Sequence, residues 1–428
     1  MSESPRAPRR GRAVLGALFG LGVKVGGSVS ALAMFALAAW TLDVSEFGRL
    51  VVVFNIVSLV AVAGVLGQDT LIQRSWGEFV ETDAELARGA ALYGLAVTVL
   101  GATVAAALLF AWARIDGRPT ASETVAVTAF LFTQTLLHFA ANFVRVARGA
   151  KWSEPPRELF WRLPLVAGLA GVLVTGGHAS VVGFFGVAAL AQGLSIAFVA
   201  VAIVTALPAR VRAARPRLRL REWSRRAAVM TSAAMAEAAH QYADVVLIGH
   251  VLGTSAAAGY FVVLRIANVF AMLTSGIHTY SASKISHLHY LGRIDELRRL
   301  MAQVMRLTLV LVVALLGVVL LVGPFLLTVF GAHYREFQTE LVMMSGITAF
   351  AALAGPGSTL MRTLGADLLY LKLIAVALAV RVSGLIALAP MLGLRGAVLA
   401  VALAVVPLAV TVTVLCIRRL GVDPSVLA

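Results

Sequence analysis

The chain has 428 residues, 60% of them hydrophobic, 13% charged, and a mean hydropathy of +0.91. Soluble domains hold about 45–50% apolar residues, so this composition excludes a soluble globular protein and points to a polytopic helical membrane protein. The net charge of +15 does not mark a nucleic-acid binder, because the basic residues fall between apolar segments, with no aromatic interleaving and no nucleic-acid motif. They read as topology signals and as a surface for anionic membrane lipids.

Arg6, Arg9, Arg10 and Arg12 precede an apolar run that is too long for a signal peptide and has no clear cleavage site, so it reads as a retained first span. A spanning helix needs about 20 mainly apolar residues. The sequence predicts an all-α fold with spans over 14–40, 50–72, 90–112, 121–144, 159–175, 180–206, 227–250, 257–282, 303–328, 341–361, 369–391 and 396–416. With the N-terminus inside, the outside loops hold only Arg49, Arg114, Arg118, Arg335 and Arg395. That asymmetry follows the positive-inside rule and places both termini in the cytoplasm.

The stretch Pro208–Arg226 carries eight arginines against one acid, Glu222. Insertion of each arginine into hydrocarbon costs about 2.5–3.5 kcal/mol, so the stretch is an extramembrane linker. It separates an N-terminal six-helix bundle, 1–207, from a C-terminal one, 227–428, with 208–226 as a basic cytoplasmic linker. Sliding the chain by 211 residues aligns Gly48 with Gly259, Val51-Val52 with Val262-Val263, Glu85-Leu86 with Glu296-Leu297 and Arg88 with Arg299. An even number of spans per half gives both halves one orientation. The expected relation is a pseudo-two-fold axis along the membrane normal, with a substrate site between the halves. Pro164, Pro324, Pro356 and Pro407 interrupt spans, and the pairs Gly16/Gly20 and Gly22/Gly26 suit close helix packing or a bend in the first span.

Charged residues inside spans are functional candidates by default. Lys24, Arg265 and Arg381 are the deep cations; Glu237 and Asp244 are the deep acids, with Asp69 near the inner end of span two. Arg162 and Arg306 lie near inner helix ends, where their side chains are expected to snorkel. Glu237, His240, Gln241 and Asp244 share one helix face. They form either a packing network, for example an acid paired with Arg265, or an ion-coupling site built from groups that titrate near physiological pH. Gln134, His138, Asn142 and Arg145 share a face of span four and serve either as interhelical glue or as ligand contacts. His278 and Tyr280 read as interfacial. Lys24, Arg265 and Arg381 lining a cavity would attract an anion, and two cations suffice for a diphosphate. Cys416 is the only cysteine, which excludes an intrachain disulfide and a thiolate metal cluster. There is no Walker A loop, GxSxG elbow or HExxH motif, so no catalytic residue, metal or cofactor is assigned and the chain does not read as an enzyme.

Ser45-Glu46-Phe47-Gly48, an apolar span, and Gly67-Gln68-Asp69-Thr70 resemble the first two spans of bacterial polysaccharide-exporting flippases, which share a superfamily with the multidrug and toxin extrusion transporters. Ala258-Gly259-Tyr260-Phe261 with Arg265 resembles the start of that family's eighth span. Phe330-Gly331-Ala332-His333-Tyr334 resembles its ninth-to-tenth loop, and Leu360 to Gly365 the close of span ten. The resemblance implies two six-helix bundles around a central cavity in the bacterial inner membrane. It implies flipping of an undecaprenyl-diphosphate-linked oligosaccharide, with a polysaccharide polymerase and glycosyltransferases as partners. On that reading Lys24, Arg265, Arg381, Gln134, His138 and Asn142 bind the cargo, and Glu237, His240 and Asp244 couple the cycle to an ion gradient. The alternatives are a multidrug-type cation antiporter and a membrane polysaccharide polymerase or ligase.

Overall fold

The computed structural model describes residues 10–116, 119–268, 288, 293–355, 357, 360–361 and 367–420. Helices joined by short turns make up these residues, and no strand occurs among them.

Helix α1, Arg10–Thr41, is 32 residues long, about 48 Å at 1.5 Å per residue. Helix α2, Val44–Val65, ends at two left-handed residues, Leu66 with φ 52° and Gly67 with φ 68°. A Cβ on Gly67 would stand 2.6 Å from the Ala227 carbonyl oxygen, so glycine is required there for space as well as for conformation. Helix α3, Gln68–Phe79, then starts afresh, with Leu71, Ile72, Trp76 and Phe79 on its buried face. The predicted span 50–72 lies within the apolar stretch Val44–Phe79, and the helix is interrupted inside it after Val65, because a left-handed pair cannot continue the hydrogen-bond ladder.

Helix α4 is Ala84–Asp116 and α5 is Ala121–Arg148. The Thr120 hydroxyl caps α5 by accepting from the Glu123 N–H at 3.2 Å. Helix α6, Ala150–Pro155, runs into a π turn at Pro156–Phe160 and then into α7, Arg162–Val174. Pro155 and Pro156 remove two consecutive N–H donors, which is why regular α pairing is lost at this point. Helix α8, Val181–Ala206, is capped by Ser180. The short α9, Ala209–Ala213, and an extended stretch lead to α10, Leu220–Val251. Helix α11 covers 254–268 and α12 is Ile294–Thr328. A 3-10 turn at Ala332–Phe337 precedes α13, Gln338–Leu353. Helix α14, Asp367–Leu420, is two helices joined at Gly393, whose φ of 61° and ψ of −142° break the ladder. A shift of 211 residues carries the ends of α1 onto those of α10, and the ends of α4 onto those of α12, to within one residue.

Every predicted span contains a helix. Seven stretches among the described residues are long and apolar enough to cross a membrane, and one of them, Leu369–Arg418, holds the last two predicted spans. Two of the remaining predicted spans are short: α7 has 13 residues and α13 has 16. Pro356, His278 and Tyr280 lie outside the described residues.

The chain forms two compact units. The first comprises Met1–Leu42 and Val53–Ala238, the second Asp43–Val52 and Ala239–Ala428. The first has an aromatic core in which Phe54 packs edge-on against Phe35 at 5.1 Å, and Phe130 meets Phe185 at 5.3 Å and Trp161 at 6.0 Å. In the second, Phe47 at the start of α2 packs against Phe261 and Tyr334, each at 6.2 Å. Gly48 lets α2 approach the backbone at Thr254.

Candidate functional site

The second unit holds a buried charged cluster built by three helices. Asp244 lies on α10 and is 2% exposed; Arg381 lies on α14 and is 5% exposed; Tyr260 lies on α11 and is 1% exposed. The Tyr260 hydroxyl donates to Asp244 Oδ2 at 2.6 Å, and the Arg381 guanidinium donates to the same oxygen. A second guanidinium nitrogen of Arg381 lies 3.3 Å from the His240 carbonyl oxygen and 3.4 Å from the His240 ring nitrogens. Arg381 Nε is buried without a partner. One carboxylate oxygen thus receives two donors from two other helices, so its charge fixes the register of α11 and α14 on α10.

The sequence places Glu237, His240, Gln241 and Asp244 on one face, and the structure grades that face by depth. Asp244 is buried, His240 is half-buried, and Glu237 and Gln241 are exposed. His240 and Asp244 are brought together with Arg381. Of the two span-seven acids, Asp244 is held by Arg381, a residue expected to contribute positive charge to an anion cavity. Arg381 therefore enters any cargo site as half of a neutral pair. Arg265 is half-buried, its guanidinium 4.6 Å from the Phe261 ring centroid. Tyr260 was named in the sequence only as part of a short motif. Its position on α11, sixteen residues after Asp244, carries no sequence signal that aims it at that acid.

The first unit carries a different arrangement. Thr133 donates to Gln192 Oε1 at 2.8 Å, Gln192 donates to Gln134, and Gln134 lies 3.4 Å from the His138 ring. One turn on, the Asn142 amide donates to the His138 carbonyl oxygen at 2.9 Å and accepts from Gln73 at 3.1 Å. Gln73 also donates to the Asp69 carbonyl oxygen at 3.1 Å. The residues Gln134, His138 and Asn142 are brought together in a polar ladder linking α3, α5 and α8. Their side-chain groups bond to one another and to these helices.

Lys24 is exposed on α1. Three residues on, Gly27 is the close-packing glycine: a Cβ there would lie 2.8 Å from the Glu158 Cβ, whereas Gly22 has open space. Arg162 has protein partners on two helical segments. It donates to the Glu158 carboxylate and carbonyl, each at 2.8 Å, and to the Gly27 carbonyl oxygen at 3.1 Å. The π turn that carries Glu158 is thereby tied to α1. Among the described residues, no three His, Cys, Asp or Glu side chains are grouped to hold a metal ion.

No protein-family model and no curated protein sequence matches the chain. Solved structures do. The chain is similar to a multidrug resistance MATE family transporter of the MOP superfamily in its inward-facing conformation, with a TM-score of 0.74 and 14% identity, over 95% of this chain and 98% of that one. It is similar to an outward-facing conformation of such a transporter, with a TM-score of 0.63 and 14% identity, over 95% of this chain and 94% of that one. It is also similar to a MOP superfamily transporter from Pyrococcus furiosus with a binding pocket of reverse polarity, with a TM-score of 0.62 and 15% identity, over 95% and 94% of the two chains. At this identity the likeness shows the fold: an all-α, multi-pass membrane protein with the MATE transporter fold.

Proposed function

We propose that the protein is a secondary transporter that moves an amphipathic organic substrate across the membrane by alternating access. Fold likeness over 95% of the chain to transporters solved inward-facing and outward-facing carries this reading. The Asp244–Arg381–Tyr260 cluster supplies the coupling element. Protonating Asp244, or placing another cation on it, removes the charge that holds Arg381 and loosens α14 from α10. A buried ion pair suits this role, because its formation and rupture differ by several kcal/mol (about 3–5 when one partner is removed).

For the cargo, the likeness to a multidrug resistance transporter supports the multidrug-type cation antiporter. A second reading is a lipid-linked oligosaccharide flippase. It is favoured by exposed Lys24 on α1, where a cation extruder gains nothing from a positive charge, and by the sequence motifs of spans two and eight. Both place the protein in a bacterial cytoplasmic membrane with its termini inside.

A deletion strain separates the two. Extracted undecaprenyl-linked glycans are tested for leaflet with a membrane-impermeant sugar-modifying enzyme, alongside growth on cationic drugs. Drug hypersensitivity with normal glycolipids establishes the antiporter. Complete oligosaccharide trapped on the inner leaflet establishes the flippase.

A further inference from the structure

The eight arginines of Pro208–Arg226 fall into two groups. Four are paired: Arg210 with Glu81, Arg217 with Asp83, Arg219 with Glu222 at 3.4 Å, and Arg226 with Glu78 at 3.2 Å and Glu222 at 2.6 Å. From α4, Arg88 donates to the Arg212 and Ala214 carbonyl oxygens. Val211 and Trp223 are buried in a core cluster with Trp76, Phe79 and Leu86. The linker is thus a strap fastened to the turn between α3 and α4 and to the start of α4.

The other four, Arg212, Arg215, Arg221 and Arg225, are exposed, and among the described residues no acid lies within ion-pair distance of them. Between them Leu218 is 49% and Leu220 53% exposed. The strap follows α8 and opens α10, so chain connectivity keeps it at the edge of the membrane. A nucleic-acid surface would interleave aromatic side chains for stacking, and the one aromatic residue here, Trp223, is fully buried. Arginine forks match phosphate oxygens in a bidentate way, and exposed leucines beside them suit the boundary between headgroups and acyl chains.

We propose that Arg212, Arg215, Arg221 and Arg225, with Leu218 and Leu220, form a docking surface for the anionic phospholipid headgroups of the adjoining leaflet. The paired arginines hold the strap in shape, and the unpaired ones hold lipid. This surface is independent of the cargo.

The test is native mass spectrometry of the purified full chain offered phosphatidylglycerol or phosphatidylcholine. The wild type is expected to retain phosphatidylglycerol preferentially, and added salt weakens the preference. The variant R212Q/R215Q/R221Q/R225Q is expected to lose it, at about fivefold per arginine, while its thermal unfolding in phosphatidylcholine is unchanged. The matching set of four Arg→Lys changes keeps the preference. Should the fourfold glutamine variant fail to fold, R215Q and R221Q singly are expected to show the fivefold step. Equal retention of both lipids by the wild type, or an undiminished preference in the glutamine variants, overturns the proposal.

Discussion

Asp244 and Arg381 stand 137 positions apart in the chain and form one buried ion pair, with side chains 3% and 6% exposed. Desolvating both charges is costly, so the pair contributes less to stability than to register, and removal of one partner leaves a bare charge in a low-dielectric interior. Arg381→Ala and Asp244→Ala are each expected to lower stability by about 3–5 kcal/mol. The double variant Asp244→Leu with Arg381→Met is expected to recover most of that loss and still not transport. Thermal unfolding and transport on the same preparations check this. A double variant that transports like the wild type removes the pair from the mechanism.

The location of charged residues in spans was legible in the sequence, and their pairing was not. Arg265 and Arg381 both lie near the middle of their predicted spans, so depth alone does not choose between them as the partner of Asp244. The choice depends on the rotation of α11 and α14 against α10, which periodicity within one helix does not encode. The face of span four was legible for the opposite reason: Gln134, His138 and Asn142 follow one another at steps of four residues on one helix, and local geometry fixes their alignment. The break after Val65 was missed because Leu66 is an ordinary apolar residue, and its left-handed φ of 52° is set by its surroundings.

The polar ladder of the first unit predicts coupling between helices. Gln134→Leu and Gln192→Leu are each expected to destabilise the protein. Their double-mutant cycle should show a coupling of about 0.6 kcal/mol, and at most about 1.7, as found for interhelical hydrogen bonds in membranes. Additive effects would mean that the two side chains do not share a bond.

Trp223 is fully buried where the strap meets α3 and α4, its ring centroid 5.5 Å from that of Tyr93. Trp223→Ala is expected to cost about 3–5 kcal/mol and to open the strap to trypsin at the arginines around it. Limited proteolysis followed by mass mapping reads this directly. By contrast, Arg217→Gln removes an ion pair whose side chains are 55% and 27% exposed and is expected to change stability by less than about 1 kcal/mol.

Gly393 holds a φ of 61° with a ψ of −142° at the joint of α14, a region that is essentially reserved for glycine. Gly393→Ala is expected to lower stability by about 1–3 kcal/mol, although a methyl group there would meet no atom within 4 Å. An alanine variant of unchanged thermal stability would show that the joint adopts another conformation.

The central claim is gradient-driven transport that depends on the Asp244–Arg381 pair. The most direct measurement reconstitutes the purified protein in proteoliposomes, imposes a proton or sodium gradient, and follows both a cationic fluorescent dye and a fluorescent undecaprenyl-diphosphate-linked sugar. The account predicts that one cargo moves with the gradient in the wild type and that neither moves in the stable Asp244→Leu/Arg381→Met variant. Movement of neither cargo by the wild type under either gradient, or equal movement by the variant, would contradict it.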